Sequence, residues 1–144
     1  MHLNLKGQEM SDFAELIGHW YGADELESID AIARLVPALE FVAMTAAQQE
    51  HALPGCLACE VWNTRMRHVQ DALQDVGNAL PDSIAVPLKS VWALYSSMAD
   101  TDLPCHDRSI FQRCHWQPMR EVAALALSAM GSAEVKALLA EFSR

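Results

Sequence analysis

Residues 28–44 read SIDAIARLVPALEFVAM, and their spacing decides the fold class. Ile29, Ile32, Ala33, Leu35 and Val36 recur every three or four positions, the repeat of one face of an α-helix rather than the alternation of a strand. Leu39, Phe41, Val42, Met44 and Ala47 carry the apolar surface on to about residue 51. Asp24 or Ser28 is suited to cap the start, because a short oxygen-bearing side chain accepts from the free N–H groups of the first turn. Pro37 has no N–H and crowds the preceding turn, so a kink or a division of the helix is expected there.

The same reading extends in both directions. Phe13, Leu16, Ile17 and Trp20 predict a helix over 9–20, with Gly22 as its stop. Leu53-Pro54-Gly55 is a break. A long helix over 56–79 follows, with Cys59, Trp62, Met66, Val69, Leu73 and Val76 on one face. Asn63, Arg67, Gln70, Gln74 and Asn78 lie on the other. Asp82 or Ser83 should cap a helix over 84–98, with Pro87 in its first turn. A polar loop, ADTDLPCHD, leads to a short helix over 107–115. Pro118 starts or kinks a helix to about 130, Gly131-Ser132 is a stop and a new cap, and 133–142 is the last helix. The expectation is an all-α fold: one domain over 1–144, a bundle of six or seven helices, orthogonal or up-down. Trp20, Trp62, Trp92 and Trp116 are the expected core anchors.

Composition agrees. A chain of 144 residues that is 51% hydrophobic and 20% charged buries a core without help from metal or disulfides. Only 7% is aromatic, which disfavours sheet. The net charge of −9 is uneven: residues 1–60 hold ten acids against Lys6 and Arg34. That balance disfavours direct nucleic-acid binding and favours a protein partner with a basic surface. No apolar leader and no membrane-length apolar run is visible, so a cytoplasmic location with reduced thiols is expected, and no membrane contact.

Four cysteines fall in two pairs. Cys56 and Cys59 form a C-x2-C after Pro54-Gly55, and Cys105 and Cys114 bracket a basic segment, each followed by a histidine, His106 and His115. One reading is a structural zinc held by Cys56, Cys59, Cys105 and Cys114, with His106 or His115 as substitutes, since zinc takes four thiolate or imidazole ligands in a tetrahedron. A second is a redox dithiol, because the dipole at a helix start favours the Cys56 thiolate and Cys59 lies one turn on. A third is that all four are small core hydrophobes, as Cys59 within its apolar stripe suggests.

Gly55-Cys56-Leu57-Ala58-Cys59 resembles the dithiol of the all-helical AhpD and carboxymuconolactone decarboxylase-like family. That resemblance implies thiol redox chemistry at Cys56 and Cys59. The family places a histidine four residues beyond the second cysteine, where Asn63 stands here, and a glutamate on the preceding helix, where Glu40 and Glu50 are at other spacings. His51 and His68 are the substitute proton relays within the chain. Arg108 and His115 fit the R-x4-6-H pattern of HEPN-type ribonucleases, in which the two side chains assist attack by a ribose hydroxyl. Arg108, Arg113 and Arg120 make 105–120 the one locally basic stretch, and a solvated helix face accounts for it equally. Glu15 and His19 share a face of the first helix and read as a surface pair.

No catalytic constellation is complete. The leading expectation is therefore a small acidic protein-binding module, an adaptor or an inhibitor of a larger assembly such as one that handles nucleic acid. A C-x2-C redox enzyme and a HEPN-like ribonuclease are the alternatives. The expected cofactor is none, or one structural zinc ion, and abundant apolar helix faces also allow a homodimer.

Overall fold

The computed structural model describes residues 12–52, 64–99, 111–112 and 116–143. Among them are seven helices and no strand: α1 (Asp12–Gly22), α2 (Leu26–Ala43), α3 (Ala46–Ala52), α4 (Met66–Val76), α5 (Asp82–Ala99), α6 (Trp116–Met130) and α7 (Ser132–Phe142). The all-α bundle expected from the apolar spacing is what the chain forms.

α2 is the central element. It packs against α1, α3, α4, α6 and α7, and nine of its residues are buried, from Ile29 to Val42. Its remaining surface is a stripe of Glu27, Asp30, Ala33, Arg34 and Pro37, all exposed. Pro37 sits on that stripe, and α2 runs through it undivided. The carbonyl that loses its partner is that of Ala33, also on the exposed side where water replaces the bond, so the proline is tolerated.

The helix breaks instead at Met44-Thr45, and a capping box sets the break. The Thr45 N–H donates to Gln48 Oε1 at 3.0 Å, and the Gln48 N–H donates to Thr45 Oγ1 at 3.2 Å. Each satisfies a donor that the start of α3 would otherwise leave free.

The other seams are apolar in the same way. Ile84, Leu88, Val91 and Tyr95 of α5 are buried, and so are Trp116, Met119, Ala123, Ala126 and Met130 of α6. The small Ala123 and Ala126 let the α6 backbone come close to its neighbours. Trp20 and Trp116 are buried anchors, Trp92 is half-buried, and Trp62 lies outside the described residues. Among the described residues no single helix is long and apolar enough to cross a membrane; α6 and α7 reach that length together but meet at a bend of 62°.

Several boundaries differ from expectation. Neither Asp24 nor Ser28 caps α2; Glu25 holds that position without a side-chain bond. Asp24 is committed elsewhere, to the end of α1, where it adopts φ 63°. The Glu25 N–H donates to the Trp20 carbonyl at 2.8 Å and the Asp24 N–H to that of Tyr21 at 3.2 Å, a Schellman closure with aspartate where glycine is usual. α5 begins at Asp82, so Pro87 is its sixth residue and lies beyond the first turn; the carbonyl left unpaired there belongs to the exposed Ser83. Ser132 is the first residue of α7 rather than its cap, which is Gly131 at φ 65°.

Two left-handed positions thus close two helices, one with the wrong residue and one with the right one. Asp24→Gly should raise unfolding stability by about 0.5–1 kcal/mol, and Gly131→Ala should lower it by about 1 kcal/mol. Urea midpoints of the two variants check both signs.

Candidate functional site

The exposed stripe of α2 faces the outer edge of α4 across a cleft of about 180 Å³. α2 supplies Glu27, Asp30, Ala31 and Arg34, and α4 supplies His68, Asp71 and Asp75. Helical spacing explains the set: 27, 30 and 34 fall on one face of α2, and 68, 71 and 75 on one face of α4. The opposite face of α4 buries Met66, Val69, Ala72 and Val76, which anchors it to the core and aims the acids outward.

Four carboxylates and one guanidinium therefore line the cleft. Asp30 Oδ2 lies 3.0 Å from Arg34 Nη2, with both side chains more than half exposed. A pair this solvated contributes little to stability. Among the described residues no group of three or more His, Cys, Asp or Glu side chains converges closely enough to hold a metal ion. The acids are spread along the two helices rather than gathered at one point.

His68 lines the cleft, half-buried, and its Nδ1 is buried without a hydrogen-bond partner. Burial and the nearby Arg34 hold its pKa below the ordinary imidazole value of 6.5; Asp71 acts in the opposite direction, and Arg65 and Arg67 lower it further. Arg65, one turn earlier, has a buried and unpartnered Nε, and its guanidinium lies 5.1 Å from the centre of the Phe41 ring.

A second polar centre closes the C-terminal end of α2. Gln49 is fully buried, and its Nε2 donates to the carbonyls of Phe41 at 3.0 Å and Val42 at 3.2 Å. Arg120 of α6 donates from Nε to the Met44 carbonyl at 3.0 Å, from Nη1 to Gln117 Oε1 at 3.3 Å, and from Nη2 to Gln49 Oε1 at 2.9 Å. Nη2 also donates to the Phe111 carbonyl. Burial lowers the Arg120 pKa. The cation stands at the negative end of the α2 dipole, among neutral acceptors. Phe111 itself is buried edge-on to Phe41 and Trp116, at centroid distances of 5.9 and 4.9 Å. Gln112 Nε2 donates to Glu50 Oε1 at 3.0 Å.

The residues singled out from the sequence fall as follows. Cys56, Cys59, Cys105 and Cys114 lie outside the described residues, as do Asn63, His106, Arg108, Arg113 and His115. His51 is exposed on α3, and His68 is in the cleft. Glu40 pairs with Lys136 of α7 at 2.9 Å, and Glu50 accepts from Gln112. Arg120, grouped above with a solvated basic face, is instead a partly buried fork joining four segments. Gln49 and the Thr45–Gln48 box drew no notice in sequence, although T-x-x-Q is a recognisable helix-start pattern.

No family model matches this chain, and neither a curated protein nor a solved structure matches it.

Lysine in place of Arg120 keeps the charge but reaches at most part of this fork. Arg120→Lys should cost about 2 kcal/mol, because buried acceptors at Gln49 and Met44 lose their donors. Equilibrium urea unfolding measures it, and wild-type stability in the variant would show that the fork holds nothing together.

Proposed function

We propose that this chain is a non-catalytic protein-binding module, an adaptor or inhibitor of a larger assembly, and that the α2–α4 cleft receives arginine or lysine side chains of a basic partner segment. The observation that carries the reading is the lining of the cleft: Glu27, Asp30, Asp71 and Asp75 on two adjoining helices, against Arg34 alone among ordinary cations. Residues drawn from the acidic N-terminal part and from the middle of the chain are brought to one face. The overall charge of −9 favours the same partner, since it steers a basic surface toward the protein before contact. An assembly whose phosphate-binding surface is basic fits this chemistry, with the cleft taking the place of nucleic acid.

A fluorescent nona-arginine peptide serves as probe. It should bind, and affinity should fall steeply as sodium chloride rises from about 0.05 to about 0.5 M, over which range exposed charges become screened. Asp71→Asn combined with Asp75→Asn should weaken binding about tenfold, at about 0.7 kcal/mol per lost charge contact. Arg34→Gln should strengthen it, because the resident cation leaves and Asp30 is freed. Salt-independent binding, or equal binding by the double variant, would count against the cleft.

A second reading, one structural zinc bound by Cys56, Cys59, Cys105 and Cys114, has separate support. Glu50 precedes Cys56 by six residues, Arg65 follows Cys59 by six, and Phe111–Gln112 stands between Cys105 and Cys114. The Gln112–Glu50 bond and the Phe41 ring shared by Arg65 and Phe111 tie these flanks to one end of the bundle. Elemental analysis with a thiol titration should find one zinc per chain and four protected thiols. Metal-free protein with one fast thiol would return Cys56 to the redox alternative; metal-free protein with four slow thiols would leave packing.

A further inference from the structure

The α2–α4 seam contains a group that can carry charge only at a structural cost. His68 Nδ1 is buried and has no hydrogen-bond partner. A neutral imidazole with its proton on Nε2 leaves only a lone pair there, which costs less to bury than an unpaired N–H of a charged ring. A proton on Nδ1 would create a buried donor without an acceptor, in an imidazolium one turn from Arg65, whose Nε is already buried and unpaired. We infer that His68 is a proton-sensitive latch: on mild acidification it opens the α2–α4 seam and weakens the hold of the cleft on a basic partner.

Every charged group around it bears on the sign. α2 presents Glu27, Asp30 and Arg34, and α4 itself presents Arg65, Arg67, Asp71 and Asp75. α5, the other helix packed on α4, carries Asp82 and Lys89, and neither lines the cleft or acts on His68. The three arginines and burial oppose the proton, and Asp71 favours it. The folded chain therefore binds fewer protons at His68 than the unfolded chain does. The stability this confers is present above the unfolded value of 6.5 and is lost as pH falls through 6.5 toward the lower folded value. Protonation also adds a positive charge inside the cleft, so the half of the inference concerning a partner rests on the binding reading above.

Amide hydrogen exchange of α2 and α4, and nona-arginine binding, are to be followed from about pH 7.5 to about pH 5.5, where ordinary carboxylates stay ionised. Exchange rates are corrected for their intrinsic dependence on pH. In the wild type, protection in α4 should fall about tenfold and peptide affinity about fivefold. In His68→Gln, which cannot take the proton, both should be constant. Constant protection in the wild type, or the same loss in His68→Gln, overturns the latch. A peptide that binds at neither pH overturns the binding reading while exchange still decides the latch. Loss of protection with unchanged affinity overturns the coupling between them.

Discussion

The fork of Arg120 closes the C-terminal end of α2, and much of the bundle depends on it. A helix that ends inside a protein leaves carbonyls without donors, and burying them unpaired is costly. Here Gln49 serves Phe41 and Val42, and Arg120 serves Met44, Gln49 and Phe111. One cation thereby fixes α3, α6 and the Phe111 turn against α2. The guanidinium suits the task because its donors point in fixed, divergent directions, and because its charge is favourable where the helix dipole is negative. An apolar side chain at position 120 could fill the volume but would leave these acceptors unmet.

Closing that end frees the rest of α2 to divide its surface between two roles. Its buried residues meet five other helices, and the exposed stripe is left for charge. α4 divides in the same way, with Met66, Val69, Ala72 and Val76 inward and His68, Asp71 and Asp75 at the cleft. Apolar packing holds the two helices side by side, and so it also holds their acids side by side against mutual repulsion. The repulsion is small at exposed positions in water, so the packing tolerates it; toward the basic surface proposed as partner the same charges would be attractive.

Local features were legible in the sequence and long-range ones were not. The stripes of α1, α2 and α4 follow from three-or-four spacing, because periodic burial is a property of neighbouring residues, although Ala33, expected on the apolar stripe of α2, lies on its exposed side. Pro37 misled as a breaker because sequence does not say which side of a helix faces water, and on the outer stripe the lost bond costs little. Gly22 was the natural stop for α1, yet α1 runs through it and Asp24, two residues on, takes the left-handed position that closes the Trp20 and Tyr21 carbonyls. Arg120 looked like surface charge because Gln49 and Met44 are 71 and 76 residues away along the chain. The cleft was half visible: the acidity of α2 could be read directly, whereas Asp71 and Asp75 sit in a stretch whose charges cancel. Folding brings them beside the acids of α2, which no local stretch of sequence reveals.

That juxtaposition is the basis of the recognition proposed above. A metal ion asks for several ligands at about 2 Å from one point, and the described carboxylates do not converge in that way. Nucleic acid presents the wrong sign of charge to them. An arginine- or lysine-bearing segment asks for less: separate carboxylates at intervals along a groove, each meeting a long side chain that adjusts its own length. Arg34, paired with Asp30 on the rim, already shows how a guanidinium lies on this surface. His68 beneath it marks the limit of the design. The same packing that aligns the acids buries a ring nitrogen with nothing to bond. In the proposed reading, recognition of positive charge and sensitivity to protonation are two consequences of one helix-to-helix seam.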